Sequence, residues 1–155
     1  MNICSLPVLN KVESFSGVFH FLSNFHTAPI MYCGIAYPTS EHAYQAAKTT
    51  NENSRINISI LGTPSEAKKY GSTVQLRADW DDVKLEIMEE IVRAKFTQNP
   101  SLKEKLLATD DLLLKEGNNW GDTYWGICKG EGENHLGIIL MELRDCLNTN
   151  TKVLK

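Results

Sequence analysis

A chain of 155 residues, 42% hydrophobic and 23% charged, has the size and composition of one ordinary domain and buries roughly two-thirds of its unfolded surface without a staple. Its formal net charge of -3 excludes an overall basic field for duplex nucleic acid, though not a local basic cleft. No run approaches the roughly 18 apolar residues of a membrane span, and the start MNICSLPVLNKVESF lacks the charged and apolar regions of a secretory leader, so a cytoplasmic protein is expected.

The first 38 residues are rich in aromatic and β-branched types, with Phe19, Phe21 and Phe25 alternating with small or polar residues. PIMYCGIAYP follows, two short apolar runs about Cys33-Gly34, and reads as a hairpin. Helices dominate after that. Thr39 is an N-cap for a helix to about Thr49. Thr63-Pro64-Ser65-Glu66 is a capping box with proline at the first helical position, and Gly71 is a stop for that helix. Asp79 opens the longest helix, to about Gln98, with Trp80, Val83, Ile87, Ile91 and Ala94 as its buried stripe. Asn99-Pro100 starts another, with Leu102 and Leu106 one turn apart. The last follows Asn134 and buries Leu136, Ile139, Leu140, Leu143 and Leu147. Between these last two lies a stretch rich in glycine, asparagine and tryptophan that reads as a loop or a pair of short strands. The expectation is a single α+β domain over 1–155, mainly helical, with a small β part and a core from about 15 to 147.

Cys4, Cys33, Cys128 and Cys146 are scattered, as are His20, His26, His42 and His135. That spacing suits neither a zinc cage nor a disulfide framework, so no metal or other cofactor is expected. His42 and His135 sit beside helix starts and read as structural or exposed, and Glu131-Gly132-Glu133 as a solvated turn.

Three segments attract attention on composition: Phe21-Leu22-Ser23-Asn24-Phe25, a polar pair between aromatics, the helix after Thr39, and Glu116 through Asn134. In the helix after Thr39, a step of about 100° per residue puts Glu41, Gln45 and Lys48 within about 60° of one another, opposite Tyr44, Ala43, Ala46 and Ala47. A carboxylate, an amide and an ammonium in one row could hold a sugar phosphate; on periodicity alone the row reads first as a solvated amphipathic face. Glu41 lies in the first turn, where the helix dipole favours its ionised form. In the third segment Trp120 and Trp125 flank Asp122, with Gly121 and Gly126 beside them. Flat faces and accessible backbone suit a flat ring, and two indoles anchoring an irregular loop would leave the same pattern. Asn134 also reads as the N-cap of the last helix.

Taken in order, FLSNF (21–25), YPTSEHAYQAAK (37–48), DW with IMEEIVRAKFTQNP (87–100), KLLATDDLLLKE (105–116), YWG (124–126) and GENHLGIILMELRDCL (132–147) resemble the NADAR, or YbiA-like, family over nearly the whole chain. The resemblance implies an N-glycosidase acting on ribosylated substrates. One branch splits ribose 5-phosphate from amino-pyrimidine intermediates of riboflavin synthesis; others act on ADP-ribose attached to guanine or related nucleotides. It implies Glu41 as the carboxylate that stabilises positive charge on the ribose, Asp122 in a secondary polar catalytic role, Trp125 stacked on the base and Lys48 paired with phosphate. Asn24, Gln45, Trp80, Glu116, Gly126 and Asn134 match further family positions and are expected to bind substrate, and Lys95 matches the long helix. The implied partner is a small ribosylated nucleotide-like molecule, with nucleic acid only as an ADP-ribosylated substrate; a non-catalytic NAD or ADP-ribose module would use the same residues. Asn119-Trp120-Gly121 precede the Asp-x-aromatic-Trp-Gly pattern here. Gly71 is followed by Ser72 where many members have a basic residue, which would change the phosphate that is held.

Overall fold

The computed structural model describes residues 9 to 153; Cys4 and most of the N-terminal start lie outside them. After a two-residue strand, β1 (Lys11–Val12), comes a 3₁₀ helix at Gly17–Leu22, so the alternating phenylalanines do not form a strand. The hairpin is present as β2 (Thr27–Tyr32) and β3 (Ile35–Thr39), antiparallel, with Ile30 opposite Tyr37. Its turn residues Cys33 and Gly34 have φ of 50° and 82°, the double positive pair that suits the twist of a two-residue hairpin.

The helices are α1 (Ser40–Ala47), α2 (Glu52–Ser59), α3 (Pro64–Gly71), α4 (Trp80–Gln98), α5 (Pro100–Leu107) and α6 (His135–Val153). Thr39 caps α1 through the His42 N–H, and Thr63 caps α3 through the Glu66 N–H. Glu66 returns the favour to Gly62 N rather than to the cap residue itself. Helix α2 was not expected from the sequence: Asn51 caps it through Ser54 N–H, but Ile58 is its single buried anchor. Gly71 ends α3 with a right-handed backbone; it is small because a Cβ there would run into the Gln45 side chain, so α3 can press against α1.

Helix α4 crosses the middle, packing on α1, β2, α5 and α6. Its expected stripe is buried at Trp80, Ile87 and Ile91 and partly buried at Val83 and Ala94, and one continuous core runs from Val12 to Leu147. The short strands β4 (Leu113–Leu114), β5 (Gly117–Asn118) and β6 (Ile127–Cys128) make two parallel pairs, β1 with β4 and β5 with β6. Together with helices this is the α+β architecture anticipated from the pattern. No helix among the described residues is long and apolar enough to cross a membrane.

Candidate active site

Helix α1 is not a surface helix. Every residue from Ser40 to Ala47 is buried, because the alanines let α2, α3 and α4 close around it and the polar row faces inward. Glu41, Gln45 and Lys48 line a cavity of about 1020 Å³, so the solvated-face reading does not hold. The Glu41 N–H donates to the Asn24 carbonyl at 3.0 Å, which satisfies one free donor of the helix start. Gln45 Nε2 donates to Glu41 Oε1 at 2.7 Å and fixes the carboxyl. Burial pushes the Glu41 carboxyl above its ordinary range, outweighing the Gln45 hydrogen bond and the pull of Lys68 and Lys48. This corrects the expectation from the helix dipole: a field worth a fraction of a kcal/mol to about 1 kcal/mol yields to desolvation.

The opposite wall comes from the loop after α5. Glu116 is partly exposed as a residue, yet its Oε2 is buried and has no hydrogen-bond partner. Burial, with Asp122 and Glu41 nearby, raises its pKa from 4.5 to about 8, against the pull of Lys68. At neutral pH this carboxyl holds its proton. Its backbone is fixed on both sides: its N–H donates to Asn134 Oδ1 at 3.0 Å and its carbonyl accepts from Ile127 N at 2.8 Å. Two backbone crossings build this floor. A Cβ on Gly117 would strike the Glu13 carbonyl, and one on Gly126 would strike the Glu116 carbonyl.

Asp122 lines the same cavity, but its Oδ1 accepts the N–H groups of Tyr124 and Trp125 at 3.1 and 2.9 Å. It therefore shapes the turn that carries Trp125. That indole lines the cavity and packs on the core, its N–H donating to Tyr44 Oη at 3.2 Å; Tyr44 and Tyr124 meet it edge-on. The carbonyls of 123–126 accept from the N–H groups of 133–136, so this loop, not a side chain, satisfies the start of α6.

Asn134 (φ 54°) is accordingly not a conventional N-cap. Its amide cross-links the strand below, accepting from Glu116 N and donating to the Leu114 carbonyl at 2.9 Å. Asn134, Gly126 and Trp80 lie outside the cavity lining; Trp80 supports it from behind, its ring 5.3 Å from that of Tyr44. Asn24 does line it, with a buried Oδ1 that has no partner and an Nδ2 directed to Met88 Sδ. Behind the Ser23-Asn24 turn, Lys95 is fully buried, donates to the Ser23 carbonyl at 2.8 Å and has a pKa lowered by burial from 10.5 to about 7. His42 is structural. Its Nε2 lies 3.0 Å from the Leu61 carbonyl and so carries the proton, leaving Nδ1 to accept from Thr39.

The model of the NADAR domain matches residues 10–148. The chain belongs to the NADAR family. N-glycosidase YbiA of Escherichia coli K12 is 41% identical over 128 residues, which span 81% of this chain and 79% of YbiA. An N-glycosidase of Nostoc punctiforme is 41% identical over 129 residues, 79% of this chain and 82% of that protein. A riboflavin biosynthesis protein of Vibrio vulnificus is 39% identical over 130 residues, 81% of this chain but 35% of its own length. The NMR structure of E. coli YbiA superposes with a TM-score of 0.82 at 35% identity, covering 96% of this chain and 92% of that one.

In this NADAR domain the cavity also gathers Lys68, Lys115 and Lys129, none of which stood out in the sequence. Lys68 reaches the cavity from α3. Its signal was its spacing alone, one turn before a glycine that packs on Gln45.

Proposed function

We propose that this cavity hydrolyses the C1′–N bond of a ribosylated heterocycle, with an amino-pyrimidine riboside 5-phosphate as substrate. The chain is a hydrolase of N-glycosyl bonds by its relationship to N-glycosidases across four-fifths of its length; the names of two relatives in riboflavin biosynthesis support the substrate. The observation that carries the reading is the buried carboxyl of Glu41, clamped by Gln45 and facing the same cavity as the proton-bearing Glu116.

As the C1′–N bond breaks, its electron pair moves to the departing nitrogen and Glu116 donates the proton that neutralises the leaving heterocycle. Glu41 acts in its ionised form, which the nearby Lys48 and Lys68 favour against the effect of burial; that carboxylate stabilises the cationic ribose and accepts a proton from the attacking water, whose hydroxyl adds to C1′. The proton gained by Glu41 and lost by Glu116 is re-equilibrated through solvent, which restores both. Lys48 binds phosphate as a point charge, and the free Asn24 Oδ1 takes a ribose hydroxyl. Asp122 acts by holding the loop.

A second substrate, ADP-ribose on guanine, is favoured by one feature. The cavity volume of about 1020 Å³ and its four lining lysines leave room for a second phosphate. The deciding experiment offers both substrates and detects released base and ribose product by mass spectrometry. With the substrate that is turned over, Glu41→Gln should lower kcat by roughly 10²–10³ with little change in KM. A Glu41→Gln protein that folds and works normally would remove Glu41 from the reaction, and release of neither product would remove the reaction itself.

A further inference from the structure

Of the three tryptophans, Trp120 has the least to do with folding. Trp80 is buried and Trp125 packs on the core. The Trp120 side chain lines the cavity, yet the residue is 63% exposed. Its one ring contact among the described residues is Lys68, whose Nζ lies 5.9 Å from the ring centre.

The backbone beneath this loose indole is tightly held. Asn118 Oδ1 accepts the N–H groups of Trp120 and Asp122 at 3.3 and 3.0 Å, and Asn118 Nδ2 donates to the Asp122 carbonyl at 2.8 Å. Gly121, with φ of 90°, completes the return, a conformation that a side chain would strain. A rigid loop thus presents a bare aromatic face at the cavity. Lys68 is also close enough to pull on Glu41 and Glu116, so one ammonium serves both the indole and the reacting groups.

Building on the reading of the cavity as a riboside site, we propose that Trp120 and Lys68 form an outer subsite for the flat heteroaromatic leaving ring. The ring stacks on the indole and takes the place of Lys68 Nζ, which turns to a carbonyl or ring-nitrogen acceptor on the ligand. Stacked aromatic rings have centroids about 4.5–7 Å apart, the separation that the lysine now keeps. Trp125 is less free to take that role, since it packs on the core with its N–H held by Tyr44 and its ring in perpendicular contact with both Tyr44 and Tyr124.

The test uses Trp120→Ala and Trp120→Phe in the full chain, with an amino-pyrimidine riboside 5-phosphate as substrate, ribose 5-phosphate as competitive ligand, and the free amino-pyrimidine as fluorescence quencher. Loss of base–aromatic stacking should raise the KM of Trp120→Ala by roughly 5- to 100-fold. Its kcat, its affinity for ribose 5-phosphate and its melting temperature should stay as they are. Trp120→Phe should recover most of the KM, and the free base should quench the wild-type protein more than the Phe variant. An unchanged KM in Trp120→Ala, or an equal loss of ribose 5-phosphate affinity, would overturn the subsite. Absence of turnover in the wild-type protein would instead count against the proposed reaction, and the quenching titration would still decide the subsite.

Discussion

Replacing Glu116 by glutamine separates catalysis from stability, because the two should move in opposite directions. The folded carboxyl has a pKa of about 8 against an ordinary 4.5. At 1.36 kcal/mol per pH unit that rise is worth on the order of 5 kcal/mol. The sign follows from proton binding. Between 4.5 and about 8 the folded chain keeps the Glu116 proton and the unfolded chain has lost it, so stability falls as pH climbs through that window. Glutamine has the same size and no charge to desolvate. Its advantage over the wild type should therefore widen by roughly 3 kcal/mol between pH 6 and pH 9, a gap of about 6–12 °C for a domain of this size. Catalysis should go the other way: loss of a general acid costs roughly 10²–10⁴ in rate. The fall in wild-type kcat/KM above about pH 8 should be missing from the variant. The assays are thermal melts and kcat/KM profiles from acid to alkaline pH. A Glu116→Gln enzyme that retains activity, or still shows the alkaline fall, would refute the assignment.

Lys95 offers the mirror case. Its pKa of about 7 against 10.5 means the unfolded chain binds more protons between those values, so wild-type stability rises with pH across them and the full cost is present below about 7. Lys95→Met should therefore raise the melting temperature at pH 6, by less at pH 9, even after loss of the bond to Ser23; a variant that melts lower at pH 6 would show that bond to be worth more than the buried charge costs. At Asp122, an asparagine keeps the Oδ1 that accepts from Tyr124 and Trp125, whereas alanine removes it. Asp122→Asn should hold kcat near wild type and Asp122→Ala should lower both kcat and stability, while a large kcat loss in Asp122→Asn would return Asp122 to the chemistry.

Most helices were legible because their starts carry explicit chemistry and their buried residues recur at helical spacing, as Thr63-Pro64 and the α4 stripe illustrate. Helix α2 was not, because one buried isoleucine in eight residues makes no period. That Glu41, Lys48, Asp122 and Trp125 share one cavity was expected from the resemblance, not from the pattern. Nothing in the spacing of Glu41, Gln45 and Lys48 says whether water or protein covers that row; the answer depends on α3 reaching α1 over Gly71. The roles of Gly126 and Asn134 were hidden for a similar reason. Both serve contacts with Glu116, which only the folded chain brings to them.

The pairing of Lys11 with Leu113 and of Val12 with Leu114 sets an order on biosynthesis. The strand leading to Glu116 docks on a segment made about a hundred residues earlier, so the start of the chain must wait for its partner to leave the ribosome. Closing a loop that long is entropically costly and slow relative to forming the helices between. The helices carrying Glu41 and Lys68 can thus be in place well before the floor that opposes them, and the cavity closes only once the strand leading to Glu116 has docked.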